Sequence, residues 1–295
     1  MIRILGTVFA GLLGLAFGSF LNVCVSRWPA GESVAHPRSH CRSCGRALAS
    51  WENLPLISWL ALRGHCRTCK ANIGWRYPLV ELAVGGLWAS IGWRFFESNF
   101  IAGIPAEAFL RGLVAAIGHM FFYWLLVALA ALDAEHLWLP DWLTWPGVAV
   151  GFVYSIIPIP FGSTFALAHI GNDVHIQAAI ASLIGILVAA GIILLIRWVY
   201  KLIRHREGIG MGDAKLMALL AAWLSLPGAL VAFALGIVLG ALAAIAVLAF
   251  PSSRKRGEVW TLTRLPLGTF LCVGGIISGL WGQQILAGYL RWGGF

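Results

Sequence analysis

The sequence predicts an all-α, polytopic membrane protein with about eight transmembrane helices and a cytoplasmic cysteine-bearing loop. Three observations carry that prediction. Hydrophobic residues fill 60% of the 295 positions and charged residues only 11%, whereas a soluble domain carries about 25% charged residues. A globule of this size cannot hide so much apolar surface, because even well-packed domains leave apolar atoms exposed. The apolar residues also fall in runs near the ~20 residues that a helix needs to cross a bilayer, and the basic residues collect in a few loops. A soluble globular enzyme, a disordered chain and a secreted disulfide-rich chain are all excluded.

Taken in order, spans are expected over 4–25, 79–96, 112–132, 143–161, 175–197, 212–226, 228–250 and 265–289. The sixth run is short, and Ser225-Leu226-Pro227-Gly228 marks a tight turn between it and the seventh. The first run carries Arg3 like a secretory signal, but it is long and no small-residue cleavage pattern follows, so a retained helix is expected. Eight spans put both termini on one side. Arg27, Arg38, Arg42, Arg46, Arg63, Arg67, Lys70 and Arg76 lie in the first loop, Lys201, Arg204 and Arg206 in a later one, and Arg254, Lys255, Arg256 and Arg264 in a third. All three loops fall on the same face, which the positive-inside rule makes cytoplasmic, leaving both termini periplasmic. The net charge of +9 is thus an orientation signal, and no nucleic-acid partner is expected. The organisation is a first helix over 1–26, a loop over 27–78 and a membrane core over 79–295.

The first loop holds Cys41-Arg-Ser-Cys44 and Cys66-Arg-Thr-Cys69. Two C-x2-C pairs at this separation read as a four-thiolate structural Zn2+ site. Two disulfides are the alternative, but they require an oxidising compartment and the topology assigns this loop to a reducing one. With four protein ligands the ion has no open position, so it folds the loop and does no chemistry. Between the pairs, Trp51-Glu-Asn-Leu-Pro-Leu-Ile-Ser-Trp59-Leu reads equally as a segment lying on the membrane surface or as the core of a small subdomain. Cys24 and Cys272 sit in apolar spans and read as packing residues.

Only twelve acidic residues occur in the chain. Glu97, Glu107, Asp173, Glu32, Glu52 and Glu258 read as solvated. Asp133 ends an apolar run and Asp141 precedes the next. Asp213 follows Gly208-Ile-Gly210-Met-Gly212 and opens another span. Asp133 and Asp213 are therefore expected at similar depth on one face, where a charge is costly. Glycines at alternate positions permit φ > 0 and close backbone approach, which suits an extended peptide laid against a carboxylate. Two carboxylates brought together there share one proton, giving an acid and a base that can activate water and protonate a leaving amine. Capping of helix starts, with Lys215 as a nearby cation, is the plain alternative. Proton or ion transport through acidic relays is the other, and a zinc-dependent scaffold without chemistry is a third.

Five motifs in order resemble the type IV prepilin peptidases, the bacterial prepilin leader peptidase/N-methyltransferases. They are Gly18-Ser-Phe-Leu-Asn-Val23 with Arg27 and Pro29; the cysteine pairs flanking Trp51-Glu-Asn-Leu-Pro55; Arg76-Tyr-Pro-Leu-Val-Glu81; Leu132-Asp133 with Leu139-Pro140-Asp141 and Thr144; and Gly210-Met-Gly212-Asp213-Ala-Lys215-Leu. The resemblance implies that Asp133 and Asp213 are a catalytic dyad. It implies cleavage of the basic leader of type IV prepilins or type II secretion pseudopilins after a glycine, at the cytoplasmic face of the inner membrane. It also implies S-adenosylmethionine-dependent methylation of the new N-terminus. Gly208, Gly210, Gly212, Lys215 and Asp141 would shape the site. Glu135 stands where many relatives have Asp, and Glu81 is expected either to shape the methylation region or to pair with Arg76.

Overall fold

The computed structural model describes residues 1–99, 105–157, 174–205, 210–249 and 266–293. Gly208, Asp173, Arg206 and the basic segment Arg254–Arg264 lie outside them, as does the end of the fourth expected span. The described residues form α1 (Ile2–Arg27), α2 (Ile57–Ala61), α3 (Arg76–Asn99), α4 (Ala106–His136), α5 (Asp141–Ile156), α6 (Val174–Arg204), α7 (Met211–Ala249) and α8 (Leu267–Trp292). Six of them, all but α2 and α5, are long and apolar enough to cross a membrane. The α5 helix is 16 residues long. Ser225, at φ 60 and ψ 173, breaks α7 in two. With α5 and the two halves of α7, the apolar helical segments match the eight runs expected from sequence.

The chain divides into two compact units, Met1–Ala131 and Leu132–Phe295, with the division falling inside α4. In the first unit α1 and α3 run antiparallel. A Cβ on Gly6 would meet the Phe96 ring, and one on Gly18 would lie 2.7 Å from the Glu81 Cα. Gly14 and Gly18, four apart on α1, let the two backbones touch, the small-residue device of helix pairs in lipid. Close packing of this kind replaces the hydrophobic drive that is absent between helices in a bilayer. The first half of α4 joins them through the Trp88 indole, which donates to the Met120 carbonyl at 3.0 Å.

In the second unit, Ser225 reverses the chain. A Cβ on Gly212, at the start of α7, would lie 3.0 Å from Leu139, and one on Gly268, at the start of α8, would also lie 3.0 Å from Leu139. Those two helix starts are therefore level. Further along, Ser278 of α8 donates to the Gly228 carbonyl at 2.7 Å, whereas Gly236 packs on Leu271 and Gly240 on Phe270. The second half of α7 thus climbs back toward the level of its own start, antiparallel to α8. The α5 helix lies against the first half of α7, where the Trp223 indole donates to the Gly147 carbonyl at 2.9 Å.

The loop between α1 and α3 is built on two buried charged side chains, Arg27 and Glu52. The Arg27 guanidinium donates to the carbonyls of Ser33 and Pro37, both at 2.7 Å. Counted from sequence as an orientation charge, Arg27 is in fact buried. Glu52 is not solvated either. It pairs with Arg46 at 2.7 Å and accepts the Ala49 N–H at 2.7 Å, and the Arg46 guanidinium, followed by that N–H, holds its carboxyl below the usual range. Burial without such partners would be prohibitive for a carboxylate. Trp59 packs inward, its indole donating to the Ile73 carbonyl at 3.1 Å and its ring 4.4 Å from that of Trp75. Leu54, Ile57 and Leu60 are exposed, so this segment is not a subdomain core.

Candidate active site and metal centre

The two cysteine pairs fold into matching knuckles. In the first, the Cys41 N–H donates to the Arg46 carbonyl and the Gly45 N–H donates to the Cys41 carbonyl; in the second, Cys66 with Ala71 and Lys70 with Cys66 repeat the pattern. Each turn closes on a left-handed residue, Gly45 at φ 70 and Lys70 at φ 58. An isolated bridge flanks each, His40 with Ala47 and His65 with Asn72. The knuckles bring the Sγ atoms of Cys41, Cys44, Cys66 and Cys69 within 4.8 Å of one another, an arrangement that could hold a metal ion.

Backbone N–H groups of Cys44 and Ser43 lower the Cys41 thiol. Those of Cys69 and Thr68 bring Cys66 down to about 6. Cys69 receives an N–H from Ala71 that lowers it, but burial and the neighbouring Cys66, Cys44 and Cys41 outweigh this and push it up to about 11. Four thiolates at this range repel one another, and a bound cation offsets that repulsion.

The acidic site lies wholly in the second unit. Asp133 sits one turn from the end of α4, which stops where Leu137 turns left-handed at φ 49 and its N–H bonds the Asp133 carbonyl. Asp213 sits in the first turn of α7. Both are buried, and Leu139 packs on Gly212 beside Asp213 and on Gly268 beside Asp133. The Asp213 Oδ2 accepts the Gly210 N–H at 3.2 Å, the back-reach of a third-position acid to the residue that caps its helix. Capping, weighed from sequence as a rival to chemistry, is therefore present at Asp213. Asp133 accepts two donors from Thr269 of α8: the backbone N–H at 2.7 Å and the hydroxyl at 3.2 Å.

The remaining site residues separate. Lys215 pairs with Asp141, at a partly exposed position, rather than with either aspartate among the described residues. Gly210 and Gly212 are not left-handed; a Cβ on Gly212 would crowd Leu139 at 3.0 Å, whereas one on Gly210 would meet the Asp213 carboxylate at an ordinary 3.4 Å. Glu81 accepts the Leu56 N–H at 2.8 Å and so ties α2 to α3. Sequence reasoning missed Gly268 and Thr269. Their only local signal is Pro266-Leu-Gly-Thr at a helix start, which says nothing of Asp133.

A helical membrane protein with two buried carboxylates at the ends of its helices and a four-cysteine centre in its first loop has the make-up of an intramembrane aspartic peptidase. The chain matches two family models: the bacterial peptidase A24 N-terminal domain over residues 12–95 and the type IV leader peptidase family over 120–245. It is 32% identical to a prepilin leader peptidase/N-methyltransferase of Stutzerimonas stutzeri over 95% of this chain and 92% of that one. It is 37% identical to one from Burkholderia pseudomallei strain 1026b, over 97% and 88%. It is 33% identical to a type 4 prepilin-like proteins leader peptide-processing enzyme of Escherichia coli O78:H11, over 92% of each. No solved structure matches. The chain belongs to the type IV leader peptidase family.

Proposed function

We propose that this protein is a prepilin leader peptidase of the bacterial inner membrane that cleaves type IV prepilins or pseudopilins after a leader glycine and N-methylates the new terminus. The observation that carries the peptidase reading is that Asp133 and Asp213 are both buried in one unit, with Leu139 packed against the helix starts at Gly212, beside Asp213, and at Gly268, beside Asp133. Relatives at 32–37% identity over nearly the whole chain bear prepilin peptidase names, which favours this over transport or a scaffold. One carboxylate takes a proton from water as the water oxygen attacks the scissile carbonyl carbon, and the other, protonated, donates to the carbonyl oxygen; the first then passes its proton to the leaving amine as the C–N bond breaks, and a hydroxyl proton returns to the second as the new carboxyl forms. Gly210 and Gly212 let the substrate backbone approach, and the Lys215–Asp141 pair borders the site.

The Cys41, Cys44, Cys66 and Cys69 cluster fits Zn2+. A Zn–S bond of about 2.3 Å places tetrahedral sulfurs about 3.8 Å apart, and the Cys41 and Cys69 Sγ atoms are 3.8 Å apart. Zinc there would pin the loop. For the methyl donor, S-adenosylmethionine, the first unit offers a groove of about 390 Å3 lined by Phe20, Val23, Arg27, Arg38, Ser50 and Asn53 among others. Its charged side chains are Arg27 and Arg38, and no acid lines it to face the sulfonium. The exposed Leu54, Ile57 and Leu60 suit a loop resting on the bilayer. Eight apolar segments, each crossing once, return the chain to its starting side. With the basic loops cytoplasmic, both termini are periplasmic.

The test is to incubate the purified protein with a prepilin and methyl donor and read the product N-terminus by mass spectrometry. Cleavage after the leader glycine with a methyl mass increment is expected; an intact prepilin refutes the peptidase reading, and an unmethylated product refutes the second activity.

A further inference from the structure

The two aspartates are held differently. Among the described residues, Asp213 takes its one donor from the start of its own helix. Asp133 is gripped by another helix, 136 residues away in sequence: both Thr269 donors converge on Oδ2, and Oδ1 accepts no hydrogen bond from the described residues. Thr269 is the third residue of α8, inside the first turn, where backbone N–H groups have no partner within the helix. One residue earlier, a Cβ on Gly268 would lie 2.9 Å from Asp133 Oδ2 and 3.0 Å from its carboxyl carbon. That is closer than side-chain carbons pack, so any larger residue at 268 has to displace the carboxylate or the Leu139 side chain that sits 3.0 Å away on the same side.

We propose that Gly268 and Thr269 are positioning residues for the cleavage reaction. They dock Asp133 Oδ2 on the start of α8 and leave Oδ1 as the oxygen that meets water and substrate. This rests on the reading of Asp133 as one of the two catalytic carboxylates. Neither residue is placed against substrate; both act through Asp133. The backbone donor alone would suit a carboxylate that merely stabilises a helix start. The hydroxyl aimed at the same oxygen and the missing Cβ beside it add what such a role does not require: a fixed carboxylate orientation.

The experiment uses the full-length protein in proteoliposomes, with prepilin processing measured over a range of substrate concentrations for the wild type, Thr269→Val, Thr269→Ser, Gly268→Ala and Asp133→Asn. Thr269→Val keeps the N–H and removes the hydroxyl. It is expected to lower kcat about tenfold, the scale of one hydrogen bond to a charged group, with KM within about twofold of wild type. Thr269→Ser is expected to return kcat to within about twofold. Gly268→Ala is expected to lower kcat by about a hundredfold, the cost of a misplaced reacting group. Wild-type kcat in both Thr269→Val and Gly268→Ala, with Asp133→Asn inactive, overturns the positioning proposal and leaves the dyad standing. Equal losses in Thr269→Val and Thr269→Ser, or a rise in KM alone, overturn it too. Cleavage by Asp133→Asn instead removes the reading beneath it.

Discussion

The cysteine loop and the aspartate site solve the same problem, that of gathering negative groups, by opposite means. In the loop, four thiols crowd together and backbone N–H groups ease only part of the repulsion: Cys66 is brought down to about 6 while Cys69 is driven up to about 11. Four thiolates within 4.8 Å of one another repel, and a bound cation would offset that repulsion. At the aspartates, the chain supplies the partners itself, from Gly210 for one and from Thr269 for the other. One site is completed from outside and the other is built in. The loop should therefore depend on an ion for its fold, and the aspartate site should not depend on one for its geometry.

The largest effect that sharpens this contrast comes from Asp133→Asn or Asp213→Asn. Each removes a carboxylate without changing volume, and each is expected to lower prepilin cleavage by about 10³-fold or more, the scale of acid–base catalysis. Bound metal should stay at the wild-type level in both, measured by elemental analysis of the purified protein. Loss of the metal together with activity would show that the two sites are not separable.

Reversing the experiment comes next. Chelation, or Cys41→Ser with Cys66→Ser, is expected to remove the ion and open the loop to trypsin at Arg42, Arg46, Arg63 and Arg67. Limited proteolysis read by mass spectrometry checks this. Fragments covering 211–249 and 267–292 should retain their protection. A loop that stays resistant without its ion would mean that Arg27, Glu52 and Glu81 hold it unaided, and the contrast between the sites would fail.

A packing change probes the built-in site's frame. A Cβ on Gly274 would lie 2.3 Å from the Ala232 carbonyl oxygen, a backbone atom that cannot rotate away. Gly274→Ala is expected to cost about 1–3 kcal/mol by overpacking. It should lower the thermal midpoint in detergent while leaving metal content unchanged. An unshifted midpoint would show that α7 and α8 slide apart at little cost.

What could be seen in the sequence follows from how far each feature reaches along the chain. Apolar runs, the Ser225–Gly228 break and the cysteine spacing are local, and each stands where its pattern implies. Asp133 and Asp213 stood out because so few acids compete with them in an apolar chain. Both are buried in one unit. Thr269 and Gly268 were invisible because their meaning lies in a contact across 136 residues, and a threonine and a glycine at a helix start are commonplace. Glu52 and Arg27 misled for the same reason. Charge in a basic loop ordinarily faces water, and only the folded loop shows the carbonyls and the guanidinium that make their burial tolerable.

The smallest effect tests the comparison within the loop itself. The two knuckles share one backbone pattern, but the left-handed turn residue is glycine in the first and lysine in the second, Gly45 at φ 70 and Lys70 at φ 58. A side chain in that conformation costs about 1–2 kcal/mol, a cost glycine avoids at the expense of a floppier unfolded chain. Lys70→Gly is therefore expected to stabilise the metal-free loop by less than about 1 kcal/mol once the unfolded-state entropy is counted. Gly45→Lys should destabilise it by a similar amount. Hydrogen exchange at Cys41–Leu48 and Cys66–Ile73, followed without metal, resolves the two, since each knuckle's own amides report its opening. If the ion dominates the loop's fold, both differences should fade when it is bound. Differences that persist in the metal-bound protein would place the limiting stability in the turns rather than in the ion.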